Sequence, residues 1–298
     1  MRRLDVPLQI DLLRSLRPLV ASTHDPTIRV RTDRLVRAQR TPEGPATLDV
    51  TRLAPRRFEV EAYGPGAGWA LEHAPGLLGA HDDLAGFDPT IDRIVARAAR
   101  IRPDLRLVRT GLIEDVLVPT ILAQRVTTRE AARSWTRIVR AWGDPAPGPY
   151  GLRLAPAPER LATIPYWAFH RLGVERSRAV RIAQACRRIE HLQAGLGLPY
   201  EAALEHLTRV PGVGVWTAAL LLRVAGGEPD AVEVGDYSVK DHVAWNLAGE
   251  PRATDDRMLE LLQPFSGHRG RVVRLLLSAG RRPPTFGPKP RVVPVDHL

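Results

Sequence analysis

Hydrophobic and polar residues alternate along the first stretch of about 85 residues, a period of two that is typical of β-strands. In the segment 57–64, RFEVEAYG, the residues Phe58, Val60 and Ala62 fall on one face and the glutamates between them on the other. The same alternation occurs in TIRVRTD, RLVRAQRT and ATLDVTRL, and TPEGP between two of these runs predicts a hairpin loop. We therefore expect a small N-terminal α/β domain, residues 1–85, in which an antiparallel sheet follows the short amphipathic helix QIDLLRSLRPLV. The glycine-rich GPGAGW is expected to be an ordinary loop, since no strand-to-helix context or GK pair marks it as a phosphate cradle.

From about Asp88 onward the apolar residues recur with a period of 3.6, which predicts helices. The segments with this spacing are IDRIVARAARI, VLVPTILAQRV, TREAARSWTRIVRAW, SRAVRIAQACRRIEHL, YEAALEHLTRV, VKDHVAWNLAG, DDRMLELLQPF and RVVRLLLSAG. Thr128 and Thr254 are expected to begin two of these helices as capping residues. The proline-rich stretch 144–158 predicts a long loop between two helical groups, and a helical domain therefore spans 86–298.

Composition and charge favour a nucleic-acid partner. The formal net charge is +10 and the pI is about 10.7, which points to a polyanion. Nearly all basic residues are arginines, and two stripes, Arg93/Arg97/Arg100 and Arg178/Arg181, are expected to be solvated faces that at best follow a DNA backbone. The single cysteine excludes a disulfide framework and a four-thiolate cluster. With no secretory signal and no apolar run long enough to cross a membrane, we expect a soluble cytoplasmic protein, associated with the nucleoid if it is bacterial.

The segment 210–218, VPGVGVWTA, is the most specific pattern in the chain. It joins one predicted helix to a second, nearly all-apolar one, and its two glycines permit dihedrals and close backbone approach that a Cβ would forbid. The amides of Val213, Gly214 and Val215 would then point outward at a helix N-terminus, where they can hold an anion. This pattern predicts a helix-hairpin-helix that grips a DNA phosphate through its main chain. The alternative is a plain αα-hairpin turn with glycine at the helix end.

Downstream of the hairpin lies VEVGDYSVK (232–240), at a distance that leaves room for one helix and a return loop. The hairpin LTRVPGVGVWTAALLL followed by VGDYSVKDHV resembles the HhH-GPD superfamily of base-excision DNA glycosylases, and most closely its bacterial 3-methyladenine DNA glycosylase II branch. Further similarity lies in VLVPTILAQRVTTREAA, RLGVERSRAVRI and QPFSGHRGRVVRLLL, so the resemblance covers nearly the whole chain.

The resemblance implies a fold and a division into lobes. The expected fold is mainly α (α+β), with a helical glycosylase core in two lobes beside the N-terminal sheet domain. The hairpin lobe would span about 113–228, the second lobe 86–112 with 229–285, and an irregular tail 286–298.

Asp236, the acid before the tyrosine of the DYxxK segment, corresponds to the catalytic aspartate of the family. A carboxylate there can stabilise the cationic sugar that forms as the N-glycosidic bond breaks, and can orient or deprotonate the attacking water. The alternative is that Asp236 caps the following helix, and one residue can do both. The neighbouring Glu233 and Asp241 are expected to be solvated or structural.

Trp216 stands where family members that also cut the DNA backbone carry a Schiff-base lysine. An indole cannot form an imine, but it can stack on an extruded, positively charged alkylated purine. Tyr237 and Phe265 match aromatic positions of the branch and would complete a base pocket. The alternative is that Trp216 packs in the hairpin core. Lys240, four residues after Asp236, is a second candidate for lyase chemistry, because residues i and i+4 share a helix face.

The expected DNA contacts are those of the hairpin and of the turn before it. The residues assigned to this surface are Gly212, Val213, Gly214, Val215, Gln124 and Arg125. Arg125 departs from the pattern, because related enzymes have an apolar wedge after Gln124 that fills the gap left by a flipped base. His242 also departs, since the branch has arginine near the pocket there. Both changes bear on which lesion is preferred.

The sequence therefore predicts a monofunctional DNA glycosylase that flips and hydrolytically excises alkylated bases from duplex DNA, acting as a monomer. A non-catalytic DNA-binding or lesion-sensing protein on the same fold is the alternative. A glycosylase for oxidised bases would require the lysine or an iron–sulfur cysteine set, both absent from the sequence. The histidines lack metal-ligand spacing, so no side-chain metal site and no organic cofactor is expected. The resemblance implies at most a monovalent cation on the hairpin carbonyls.

Overall fold

The structure, a computed structural model, describes residues 2–284, so the expected tail at 286–298 lies outside it. Its strands form one antiparallel sheet: β1 (Arg2–Asp5), β2 (Ile28–Val30), β3 (Arg34–Thr41), β4 (Gly44–Ala54) and β5 (Arg57–Tyr63). Their order is β1-β5-β4-β3-β2. The predicted hairpin is confirmed, because Thr41 pairs with Gly44 and only two residues connect β3 to β4. The predicted faces of β5 are also confirmed, with Phe58 and Val60 buried.

The described helices are α1 (Leu12–Ser15), α2 (Ala67–Leu77), α3 (Arg93–Ile101), α4 (Glu114–Ala123), α5 (Thr128–Trp142), α6 (Pro158–Thr163), α7 (Tyr166–His170), α8 (Arg176–Cys186), α9 (Ile189–Ala194), α10 (Tyr200–Thr208), α11 (Val215–Leu221), α12 (Val239–Leu247), α13 (Asp255–Leu262) and α14 (Arg269–Ala279). A π-helical turn, Leu222–Gly226, extends α11. Short 3-10 turns lie at Arg17–Leu19, Pro89–Ile91, Gly195–Gly197 and Gln263–Phe265. The predicted fold class, mainly α with an N-terminal antiparallel sheet, is confirmed.

Local capping explains two of the helix starts. Thr254 caps α13 as predicted, because its side chain accepts the amide of Arg257. The cap of α5 is one residue earlier than predicted: Thr127 accepts the amide of Glu130, and Thr128 is the first helical residue.

The prediction of an ordinary loop at GPGAGW is wrong, because α2 begins at Ala67. The loop is only three residues long and does join a strand to a helix. An added Cβ at Gly66 would lie 2.4 Å from the Gly44 carbonyl oxygen, so the glycine packs against the β3–β4 turn. Protein atoms therefore occupy the space beside Gly66 that a bound phosphate would need.

The described residues form three large hydrophobic cores and a small fourth one, in which Val36 and Ala38 of β3 pack against Leu152 and Leu154. The first packs the sheet on α1 and α2 and draws its buried residues from 6–78 with Val108. The second lies among helices between Ile113 and Ala225. The third joins α3 to the segment between Val232 and Leu276. The helical part therefore has two lobes: the chain enters the hairpin lobe after α3 and returns to the other lobe after the π-helical turn.

The sheet is fastened to the hairpin lobe by buried and partly buried contacts. Arg37 of β3 pairs with Asp115 of α4 at 2.5 Å, and both side chains are buried. The long loop predicted at 144–158 is confirmed up to the start of α6, and it covers the outer face of the sheet, where Tyr150 donates its hydroxyl to Asp49 at 2.6 Å. These contacts hold the N-terminal domain against the lobe that carries the hairpin.

Candidate active site and nucleic-acid interface

The predicted hairpin joins α10 to α11 through a tight turn. Gly212 has φ +90°, and an added Cβ would lie 2.8 Å from Cγ of Arg181, so only glycine fits there. The prediction that Gly214 has the same requirement is wrong. Its φ of −83° and ψ of 177° suit any residue, and an added Cβ would meet nothing within 4 Å. The open space at Gly214 leaves the hairpin backbone accessible from outside.

Some backbone amides of the turn donate hydrogen bonds within the protein and others do not. Val213 is buried and its N–H donates to the Val210 carbonyl at 3.0 Å, so the expectation that this amide points outward is wrong. Gly214 and Val215 are exposed, and neither amide has a hydrogen-bond acceptor among residues 2–284. Two amides at the start of α11 are therefore left for an external anion.

Gln124, at the end of α4, is tied to the hairpin. Its side-chain amide donates to the Gly212 carbonyl and to the Thr217 hydroxyl, each at 3.0 Å, and its carbonyl accepts a guanidinium N–H of Arg181. Gln124 thus positions the turn from inside. The next residue, Arg125, is exposed and has φ +58°, and no other non-glycine among the described residues has positive φ. Such strain is concentrated at functional sites and holds Arg125 away from the helix path.

Asp236 lies in the return loop just before α12 and uses its two oxygens differently. Oδ1 accepts the amides of Ser238 at 2.9 Å and Val239 at 3.1 Å, together with the Ser238 hydroxyl at 3.2 Å. Oδ2 accepts the indole N–H of Trp216 at 3.1 Å. Asp236 therefore caps α12 with one oxygen and faces the hairpin lobe with the other.

The aromatic residues predicted for the base pocket occupy three different environments. Trp216 is half-buried at the start of α11, bound to Asp236. Tyr237 is 90% exposed, and the ammonium of Lys240 lies 5.9 Å from its ring centroid. Phe265 is 4% exposed and packs in the core of the second lobe. The structure brings the Trp216 indole into contact with the Asp236 carboxylate. Tyr237 follows Asp236 in the sequence and lies on the surface. The Phe265 ring has almost no exposed area on which a base could stack.

The side chains of Lys240 and His242, which the sequence singled out, both lie within hydrogen-bond distance of backbone carbonyls. Lys240 donates to the carbonyls of Asp236 and Tyr237, each at 3.3 Å, and the structure gives it no contact with the Asp236 carboxylate. The imidazole Nδ1 of His242 lies 3.3 Å from the Ser238 carbonyl oxygen.

The predicted solvated stripe on α8 is wrong for one member. Arg178 is 1% exposed and donates to the Leu122 carbonyl at 2.9 Å, so it supports the end of α4. Arg181 is the partner of Gln124 described above.

The return loop is held by residues whose roles the sequence did not reveal. Glu233 forms a buried ion pair with Arg223 of the π-helical turn at 2.6 Å, so it is structural rather than solvated. Asp255, the first residue of α13, accepts the amide of Gly235 at 3.2 Å. Asp241 of α12 accepts the amide of Ala253 at 3.0 Å, which ties α12 to the segment before α13 rather than to the return loop. Their acidic character was visible in the sequence, but their partners depend on tertiary contacts.

Within the described part of the chain, no group of three or more histidine, cysteine, aspartate or glutamate side chains is placed to hold a metal ion. Cys186 is buried, and burial raises the pKa of its thiol to about 12, which leaves it unreactive. No described helix is long and apolar enough to span a bilayer.

Comparison with known proteins gives one family and several relatives. A family model described as "HhH-GPD superfamily base excision DNA repair protein" matches residues 118–266. The probable bifunctional transcriptional activator/DNA repair enzyme AlkA of Mycobacterium tuberculosis is 29% identical over 160 residues, 53% of this chain and 31% of the relative. The chain thus spans less than a third of the length of the curated relatives it matches.

Two solved structures share the fold. The 3-methyladenine DNA-glycosylase of Archaeoglobus fulgidus aligns with a TM-score of 0.78 at 18% identity, covering 94% of this chain and 98% of that one. The 8-oxoguanine glycosylase/lyase of Clostridium acetobutylicum, solved with double-stranded DNA containing cytosine opposite 8-oxoG, aligns with a TM-score of 0.64 at 14% identity, covering 84% and 96%. At these identities the two structures show a common fold.

Proposed function

Because the chain belongs to the HhH-GPD superfamily of base excision DNA repair proteins, we propose that it is a monofunctional DNA glycosylase for alkylated bases of the 3-methyladenine type in duplex DNA. The observation that carries the proposal is the hydrogen bond between the Trp216 indole and Oδ2 of Asp236. It puts a carboxylate and an aromatic face together where the two lobes meet, beside the open amides of the hairpin. The 3-methyladenine glycosylase and the AlkA enzyme among the similar proteins support the same activity.

Duplex DNA would bind at the hairpin and the turn beside it. The free amides of Gly214 and Val215 take a phosphate oxygen, aided by the partial positive charge at the start of α11. Arg125, held outward by its left-handed backbone, enters the gap that the flipped nucleotide leaves. Its guanidinium can stack on the neighbouring bases or reach a phosphate, which an apolar wedge cannot do.

The two oxygens of Asp236 define the chemistry. Oδ1 already accepts three hydrogen bonds, whereas Oδ2 accepts one, from Trp216, and keeps a lone pair for the substrate. As the bond between the sugar and the base breaks, its electron pair leaves with the base and positive charge develops on the sugar. Oδ2 stabilises that charge and orients the water that attacks it. The water proton passes to the carboxylate, and the products are a free base and an abasic site.

Alkylated purines carry positive charge, which suits this pocket. The half-buried indole of Trp216 and the exposed ring of Tyr237 present aromatic faces to such a base, which they attract by stacking and by cation–π interaction. Phe265 supports the pocket only from the core, through its packing in the second lobe.

The site offers no amine for a covalent step. Trp216 occupies the position of the lyase lysine, and the Lys240 ammonium is bound to two backbone carbonyls. We therefore propose hydrolysis without strand cleavage.

No organic cofactor enters this proposal. A monovalent cation on the hairpin carbonyls stays a prediction, and the Val210 and Gly212 carbonyls already accept protein N–H groups, so a cation would use their second lone pairs. The enzyme would act as a monomer on chromosomal DNA, hence in the cytoplasm and at the nucleoid of a bacterial cell.

The proposal is tested by incubating the protein with methylated duplex DNA and measuring free bases by chromatography. We expect release of methylated purines, an intact strand, and no adduct trapped by borohydride. Binding without any release would favour a lesion-sensing protein. A trapped adduct that disappears in Lys240→Gln would establish a lyase instead.

A further inference from the structure

Helix α5 presents an arginine face to solvent. Arg129, Arg133 and Arg140 are exposed, and their spacing of four and seven residues aligns them on one side of the helix. None of the three has a hydrogen bond or ion pair with any residue from 2 to 284. Like charges four residues apart on a helix repel each other. A bound polyanion would neutralise these arginines and relieve that repulsion.

A loop of the N-terminal domain runs beside this face and makes it one wall of a groove. The groove has a volume of about 890 Å³, and Ala21, Ser22 and His24 form its other wall. Asp25 fixes the loop, since its carboxylate accepts the amide of Ala21 at 3.0 Å and the indole N–H of Trp135 at 3.3 Å. Trp135 lies on the buried face of α5, so loop and helix are held as one unit.

One end of the groove, at Thr128, lies four residues after Gln124, which contacts the hairpin. Thr127 caps α5 two residues after Arg125, and Gln124 is bonded to the hairpin turn. From Arg129 to Arg140 the helix rises about 16 Å, which corresponds to about five phosphates of one B-DNA strand. A strand that leaves the hairpin along α5 would meet the arginines in succession.

We propose that the arginine face of α5 and the loop at 21–24 bind the phosphates of the duplex that flanks the lesion. The inference rests on the proposed function only in taking DNA as the partner. It gives the N-terminal domain a role in substrate binding, because its loop is one wall of the groove.

The test compares two sets of arginine substitutions that remove equal charge. The triple variant Arg129→Gln, Arg133→Gln, Arg140→Gln changes the groove, and Arg93→Gln, Arg97→Gln, Arg100→Gln changes an exposed stripe on α3 in the other lobe. Affinity for undamaged duplex is measured by fluorescence anisotropy over a range of salt concentrations. Each phosphate contact contributes about 0.9 to the slope of log K against log salt. We expect the slope to fall by about 2 to 3 in the groove variant and by less than about 1 in the α3 variant.

Equal slope changes in the two variants would show a general effect of net charge and overturn the inference, as would no change in either. Circular dichroism and thermal melting establish that both variants fold. If the triple variant does not fold, the single variant Arg133→Gln is measured instead. Its slope of log K against log salt is expected to change by about 1.

Duplex length separates this groove from the lesion site. Lesion-centred duplexes are trimmed to a few base pairs on one flank or the other, and the affinity difference between wild type and the groove variant should vanish for one of the trimmed duplexes. A difference that survives both trimmings contradicts the flanking position. Base release by the groove variant should require a higher enzyme concentration to reach its maximum rate, because the variant binds the duplex more weakly. A further outcome is that the wild-type protein binds duplex with the steeper salt dependence expected of the groove and yet releases no base. That result would refute the proposed function and leave this inference standing.

Discussion

At the scale of single residues, the geometry of Asp236 is compatible with both the helix-capping role and the proposed catalytic role. Oδ1 caps α12 through the amides of Ser238 and Val239, and Oδ2 is held by Trp216 across the lobe junction. The cap fixes the carboxylate in place, and the indole fixes its orientation. A rigid charge aimed at a developing cation needs no reorganisation during the reaction.

Replacing Trp216 with phenylalanine keeps an aromatic face and removes the N–H that binds Asp236. A hydrogen bond to a charged group is worth about 1.5 to 3 kcal/mol, so we expect the excision rate to fall about 10-fold or more. Affinity for lesion DNA should change little, because stacking remains. Single-turnover kinetics and anisotropy measure the two effects.

Trp245→Phe is the matched control, because the indole nitrogen of Trp245 is buried without a hydrogen-bond partner. Equal rates in wild type and Trp216→Phe would show that the indole does not position the carboxylate.

The sequence revealed these residues but not their contacts. Asp236 could be singled out because the resemblance places its DYxxK segment after the hairpin, and its catalytic role stays a prediction. The Trp216–Asp236 bond joins two lobes, and no local pattern encodes it. Likewise the resemblance assigns Phe265 to the base pocket, whereas tertiary packing buries its ring in the core of the second lobe.

At the scale of elements, the two glycines of the hairpin turn have different expected roles: Gly212 is required for folding, and Gly214 is proposed to contact DNA. Gly212→Ala forces a side chain into a left-handed conformation and against Arg181, so we expect a loss of about 2 kcal/mol or more in the free energy of unfolding. Gly214→Ala meets no protein atom and should cost less than about 1 kcal/mol. If the hairpin binds a phosphate as proposed, a methyl group beside the free amides should lower the affinity for undamaged duplex several-fold.

Thermal melting and anisotropy on both variants test this division. Gly214→Ala that binds DNA as tightly as wild type would remove the hairpin face from the interface.

Periodic elements were predicted well and short or irregular ones were not. The helices of the two lobes show a clear 3.6-residue period because each buries one face. Strand β1 has four residues and one partly buried position, too few to show a period. Helix α2 contains two glycines and an internal proline, so its propensity is poor, and its packing on β4 and β5 compensates.

At the scale of the whole molecule, the contact between the sheet domain and the hairpin lobe holds an acidic pair at the start of α4. Burial raises the pKa of Glu114 from its ordinary 4.5 to about 8, and the neighbouring Asp115 adds to the shift. Folded protein therefore keeps a proton on Glu114 that the unfolded chain releases. The resulting stability is fully present below pH 4.5 and is lost as the pH rises through 8.

We expect the free energy of unfolding to fall by about 1 to 3 kcal/mol between pH 5 and pH 9, and Glu114→Gln to remove most of this dependence. Denaturant unfolding at several pH values measures it, with Glu205→Gln as an exposed control. A variant that loses stability with pH as steeply as wild type would locate the titrating group elsewhere.

The proposed activity depends on Asp236 as the group that drives base release. Asp236→Asn keeps a side-chain oxygen for the amides of Ser238 and Val239, so folding and DNA binding should persist. It removes the charge that stabilises the cationic sugar, and losing such a group typically costs about 10²–10³ in rate. The loss should be smallest for cationic 3-methyladenine, which already leaves readily.

The most direct measurement is therefore the single-turnover rate of methylated-purine release by Asp236→Asn, beside Asp241→Asn as the same change five residues further along, on α12. We predict a fall of about 10²–10³ for Asp236→Asn and a near wild-type rate for Asp241→Asn. Release by Asp236→Asn at the wild-type rate would contradict the catalytic assignment and leave Asp236 as the cap of α12 alone.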